Sequence, residues 1–195
     1  MRSTSGIVIV TLAILALVVA SCGASLPSSV REEMARTPRG TATVVFFTDF
    51  QCPFCRRTHA ALAPVVGARK GRVRVVLLHV PLRQHPFAQD AARASICAEQ
   101  LGAREGFDDA MFAASDLSPP ALEELASQYG VDRDALRRCT SAPETDARIK
   151  RDTAAFVDAG GEGVPLLYVG TQRLDGAQPG DVLEEAVEDA LAAQR

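Results

Sequence analysis

Thr43-Val44-Val45-Phe46-Phe47-Thr48 is followed by Asp49-Phe50-Gln51 and then by Cys52-Pro53-Phe54-Cys55. The apolar run reads as a buried strand and the residues after it as the opening of a helix. Two thiols separated by two residues fit on one helical turn. The partial positive charge at a helix N-terminus favours a thiolate at the first of them. That combination points to thiol–disulfide exchange through Cys52 and Cys55. The rival reading of a lone CxxC is half a zinc site, which needs a second CxxC or a histidine pair at suitable spacing. The chain offers neither.

Outward from this stretch, the helix from Pro53 runs to about Arg69 with a kink expected at Pro64, and Val73 to Val80 reads as a second buried strand, completing a βαβ unit. Between Pro86 and Ala159 only helical patterns recur: Phe87 to Leu101, about 104 to 114, Leu122 to Tyr129, Arg133 to Cys139 and Pro143 to Ala159. Ser118 before Pro119 is a helix start signal and Gly130 a stop signal. Strands return at Leu166 to Val169 and Gln172 to Leu174, joined by a turn at Gly170-Thr171, before a closing helix from Pro179 to Ala193. The order is βαβ, helices, ββα, an α/β class of fold with a parallel or mixed sheet.

Toward the N-terminus, Arg2 precedes an apolar stretch from Ile7 to Ala20, then Val19-Ala20-Ser21-Cys22. The stretch is shorter than the roughly 20 residues that cross a bilayer and lacks a basic stop-transfer flank, so residues 1–21 read as a secretion signal. Val-Ala-Ser-Cys resembles the lipobox of bacterial lipoproteins, which implies cleavage before Cys22 and a lipid on that cysteine. The alternative is an ordinary signal that leaves Cys22 a free thiol. Removing Cys22 from the five cysteines leaves Cys52 with Cys55 and Cys97 with Cys139. The second pair is a candidate structural disulfide in an oxidising compartment, or else two buried apolar thiols. Residues 22–40, rich in Ser, Pro and Arg, read as a tether reaching at most about 60 Å, with a short polar helix near Ser29 to Arg36.

The chain is 47% hydrophobic and 23% charged, as expected of one compact domain. Its net charge of −3 becomes −4 once Arg2 leaves with the signal, so no basic field exists to attract nucleic acid.

Three motifs together resemble the DsbA-like branch of thioredoxin-fold proteins: Phe47-Thr-Asp-Phe-Gln-Cys-Pro-Phe-Cys55, His85-Pro86-Phe-Ala88, and Gly163-Val-Pro-Leu-Leu-Tyr-Val-Gly170. The resemblance implies a thioredoxin-like domain from 41–85 and 161–195 with an inserted helical domain at 86–160. It implies that Pro165 is cis and lies beside the cysteines, although a trans proline opening an edge strand is also allowed. Cys52 is then the exposed sulfur that forms a mixed disulfide with a client, and Cys55 the buried one that resolves it. Pro53, Phe54, Val164 and Pro165 complete the active-site loop, with the Val164 backbone pairing with an extended client peptide.

The implied enzyme is a protein thiol:disulfide oxidoreductase without cofactor or metal, monomeric, lipid-anchored on the extracytoplasmic face of a bacterial envelope. Its implied membrane partner is a DsbB- or VKOR-type oxidase. Val before the proline and an oxidising compartment favour an oxidase. Pro-Phe in place of the Pro-His of DsbA removes a potential cation and lowers the expected oxidising power. A reductase of the same fold is the alternative, and a Sco-like copper-binding module is another, though it favours CxxxC spacing. Asp49, whose charge would raise the pKa of a nearby thiolate, reads as a solvated acid at a strand end in preference to a buried acid that assists proton transfer, and His59 as a surface histidine. His79 and His85 read as core or capping residues. Phe46, Phe47, Phe50, Leu62, Val65 and Val66 are expected in the core.

Overall fold

The computed structural model describes residues 26–103 and 105–194; the expected signal and Cys22 lie outside them. The described chain opens with helix α1 (Ser28–Ala35), then β1 (Ala42–Thr48), α2 (Pro53–Gly67) and β2 (Val73–His79). Five helices follow: α3 (Ala88–Gln100), α4 (Phe107–Ala113), α5 (Pro119–Gln128), α6 (Arg133–Thr140) and α7 (Pro143–Asp158). The hairpin β3 (Leu166–Val169) and β4 (Gln172–Asp175) and helix α8 (Gly180–Ala192) close it. The strands order β2-β1-β3-β4, with β1 parallel to β2 and antiparallel to β3, which is antiparallel to β4. The sheet is therefore mixed. Gly170 makes the β3–β4 turn at φ 56°, a conformation open to glycine at little steric cost.

Every residue of β1 is buried, and its side chains alternate between two cores. Val44 and Phe46 face α2, α8 and the inserted helices, packing with Leu62, Leu167, Leu183 and Val187. Val45 and Phe47 face the other way, onto Val30, Phe156, Leu166 and Tyr168 of α1, α7 and β3. Both cysteines of the CxxC belong to the first core.

The structure departs from three expectations. Residues 26–40 do not all act as free tether, because α1 docks on the sheet with Val30 fully buried. Glu33 pairs with Arg74 at 2.6 Å, and Ser28 donates to Asp158 at 3.2 Å. The strand from Val73 is not buried on both faces: it is the sheet edge, Val75 is exposed, and only Leu78 and His79 are buried. A cleft of about 730 Å³ opens beside it, lined by Leu62, Val66, Val73, Val75, Leu77 and Phe107; neither cysteine lines it. Val66, expected in the core, is half-buried there. Ser118 is the N-cap of α5 as expected, but its hydroxyl makes no capping bond; Pro120 at the second helical position has no N–H to offer it.

Cys97 of α3 and Cys139 of α6 are joined by a disulfide that ties two inserted helices together.

Candidate active site

The end of β1 fixes where chemistry happens. Thr48 is its last residue, Asp49 to Gln51 turn the chain, and Cys52 is the extended N-cap residue (φ −68°, ψ 120°) of α2, whose first position is Pro53. The Cys52 N–H donates to Asp49 O at 3.1 Å, and Arg56 N–H to Cys52 O at 3.0 Å. This places the Cys52 sulfur over the free N–H groups of the first helical turn.

Both thiols are free, and both are buried: Cys52 is 3% exposed and Cys55 0%. The expectation of an exposed Cys52 thus needs correcting. The Phe54 ring between them is 51% exposed instead, with the Arg57 guanidinium 4.7 Å above its centroid. The Cys52 thiol is pulled from an ordinary 9.0 down to about 6. A hydrogen bond from the Cys55 thiol does most of this, against the cost of burial, and the N–H groups of Cys55 and Phe54 help; the Asp49 charge pushes the other way. Cys55 moves strongly upward, through burial first and then through its bond to Cys52; the Thr48 hydroxyl and the Asp49 N–H draw it back. At neutral pH one sulfur is a thiolate and its partner a thiol.

The Val164–Pro165 peptide is cis. Val164 O lies 3.7 Å from Cys52 Sγ and accepts from it when that thiol is protonated, so residues 112 apart in sequence share one surface. Val164 is half-buried, Pro165 is buried, and Pro165 O accepts the Gly176 N–H at 2.9 Å, which seats the start of β3 against the end of β4.

Asp49 is not solvated: its side chain is fully buried. Oδ1 accepts from Gln51 N–H at 2.7 Å, and Oδ2 from Leu82 N–H at 2.9 Å and His85 Nδ1 at 2.8 Å. The solvated reading failed because a strand end is open to water only where no loop crosses it, and here the loop after β2 does. His59 is not a free surface residue either. Its ring stacks on Phe112 at 4.1 Å and bonds Asp109 at 2.8 Å. His79 is a core residue; burial, then the Arg148 charge, push its imidazole down to about 3.

Three residues matter that the sequence did not single out. Arg56 donates to Phe50 O and Ala114 O, both at 2.7 Å, pinning the redox loop to the end of α4. Gln51 Oε1 accepts the Phe87 N–H at 2.6 Å, tying that loop to the start of α3. Thr48 Oγ1 is buried without a hydrogen bond to nitrogen or oxygen among the described residues, and faces the Cys55 sulfur. No periodicity or spacing marks them, since each acts across the fold. Among the described residues, no three His, Cys, Asp or Glu side chains cluster to hold a metal ion.

A nucleophilic thiolate backed by a buried thiol, held at the end of a central strand and faced by a cis-proline loop, can attack a disulfide and then release it. Fold and site together define a thioredoxin-fold thiol:disulfide oxidoreductase. The chain belongs to the thioredoxin family: a family model described as Thioredoxin matches residues 37–189. It is similar to a thioredoxin-like oxidoreductase from Silicibacter pomeroyi, with 32% identity and a TM-score of 0.70, covering 79% of this chain and 88% of that one. The fold is also that of the thiol-disulfide exchange protein alpha-DsbA2 from Wolbachia pipientis, with 18% identity and a TM-score of 0.68, covering 83% and 92%. Among curated proteins, Na(+)/H(+) antiporter NhaA 3 of Salinispora tropica is 31% identical over 173 residues, 87% of this chain. The chain spans only 26% of the length of that relative.

Proposed function

We propose that this chain is an exported disulfide donor. Residues 1–21 serve as a lipoprotein-type signal, Cys22 carries the lipid, and a membrane oxidase of the DsbB or VKOR type returns the cysteines to the disulfide. The supporting observation is the Cys52 thiol held near 6: a thiolate stable at neutral pH favours the reduced form and so makes the disulfide an oxidant. A client thiolate attacks Cys52 Sγ, the Cys52–Cys55 bond breaks, and Cys55 leaves and takes a proton. A second client thiolate then attacks the client sulfur of the mixed disulfide. The client gains its disulfide and Cys52 departs as the thiolate that its surroundings stabilise. The Val164 backbone beside Cys52 is the edge on which an extended client can lie. The 3% exposure of Cys52 fits a client that must seat against this edge before exchange.

In this reading the chain carries thiol chemistry, and the ion transport named for the antiporter relatives is not proposed for it. No described helix is long and apolar enough to cross a membrane.

The test is the reduction potential of the Cys52–Cys55 couple equilibrated against glutathione, with Cys97–Cys139 followed separately. A value near about −120 mV supports a donor; one near about −270 mV overturns the direction in favour of a reductase. Anchoring is tested apart from direction: full rescue of client oxidation by a soluble Cys22→Ala form at matched abundance would remove the need for the lipid.

A further inference from the structure

His85 lies between β2 and α3, outside the helix that carries the thiols, yet its imidazole is bound to the loop that precedes them. Three N–H donors converge on the buried Asp49 carboxyl: Gln51 from the redox loop, and Leu82 and His85 from the loop after β2. The Asp49 backbone is itself part of the redox site, since its carbonyl accepts the Cys52 N–H and its N–H faces the Cys55 sulfur. Two arginines near the loop are committed elsewhere. Arg56 is spent on Phe50 O and Ala114 O, and Arg148 pairs with Asp152. His79 is held neutral by burial.

The two amides could satisfy the acceptor alone. The imidazole adds what they cannot, a group able to carry a full positive charge, with its side chain 19% exposed and so in reach of solvent protons. A carboxylate beside a thiolate is unfavourable for both, and in a buried setting the penalty is poorly screened.

We propose that His85 is a positioning residue for the Cys52–Cys55 couple: paired with Asp49, it compensates the carboxylate beside the sulfurs and so sets how strongly the couple oxidises. This rests on the reading that Cys52 and Cys55 exchange disulfides. On reduction the pair takes two electrons from two glutathione thiols, which become glutathione disulfide. Of the two thiol protons one goes to Cys55 and the other to solvent, and Cys52 is left as the thiolate whose stability the compensated carboxylate governs.

The experiment compares the wild-type chain with His85→Gln, Asp49→Asn and the double variant, reading both the glutathione equilibrium and the Cys52 titration by thiolate absorbance. Gln retains an N–H donor but no charge. His85→Gln is expected to move the equilibrium about tenfold toward the protein disulfide, roughly 30 mV more reducing. Asp49→Asn is expected to move it the opposite way. In the Asp49→Asn background the His85→Gln shift should shrink below twofold, because the charge it compensates is gone. Equal shifts in both backgrounds, or none in either, overturn the proposal; His85→Asn supplies the same comparison if His85→Gln does not fold. A wild-type pair that fails to equilibrate with glutathione sinks the oxidoreductase reading and this proposal together, whereas a wild-type pair that equilibrates normally confines any failure to the role of His85.

Discussion

A thiol held near 6 instead of 9.0 changes the stability of one redox form only, because the disulfide form has no thiol to ionise. With the folded value below the unfolded one, the thiolate stabilises the reduced protein fully above pH 9. The benefit falls away as pH drops toward 6 and is absent below it. At pH 7 it amounts to about 1.4 kcal/mol. Urea unfolding of both forms should show the reduced protein gaining on the oxidised one between pH 6 and pH 9; parallel curves would mean an ordinary thiol. Thr48 gives a second, independent expectation. Its hydroxyl, buried and otherwise unbonded, is placed to donate to Cys55 when that sulfur carries charge. Thr48→Val keeps the shape and removes the donor. It should slow decay of the Cys52 mixed disulfide through Cys55 by about tenfold while leaving stability within about 1 kcal/mol, as read by single-turnover kinetics beside a thermal melt. An unchanged decay rate would discard the assignment.

At the scale of elements, the helices and strands were legible where a stretch carries its own start and stop signals. Pro119 opens α5, and Gly130, at φ 87°, follows its end. The apolar run of β2 was less informative. Val73 to His79 has the composition of a central strand, and composition cannot say which neighbour is missing; only the strand order puts it at the edge. The Cys97–Cys139 bridge joins α3 to α6 across 42 residues of chain, closing a loop through α4 and α5. On the chain-entropy account such a loop is worth about 2–4 kcal/mol. Replacing both cysteines by alanine should lower the unfolding free energy by about that amount, with the loss seen in denaturant melts. It should leave the Cys52 titration in place, since neither residue touches the redox loop. A double variant as stable as the parent would show that packing holds these helices without the bridge.

For the whole molecule, the sheet separates two cores, and function lives on one of them. Cys52, Cys55 and Leu62 belong to the core under α2 and α8, and Val30, Phe47 and Phe156 to the core under α1 and α7. The CxxC and its place after β1 could be read from the sequence because they are local. The Asp49–His85 pair, the Arg56 clasp and the docking of α1 could not, because each joins segments that only the fold brings together. α1 is the sharpest case. Its composition is polar enough to pass for tether, and one fully buried side chain, Val30, decides otherwise. If the two cores are energetically distinct, a defect in the second should cost stability without altering the thiols. Val30→Ala removes two methyl groups from a packed site, about 1–2 kcal/mol. The expected result is a lower melting temperature with Cys52 still titrating near 6 and an unchanged glutathione equilibrium. Leu62→Ala, on the redox side and at the contact between α2 and the sheet, is the contrast: a cost of about 2–4 kcal/mol together with a displaced Cys52 titration. If Val30→Ala displaces that titration as far as Leu62→Ala does, the sheet transmits strain between its faces, and α1 then acts on the redox site as well as on stability.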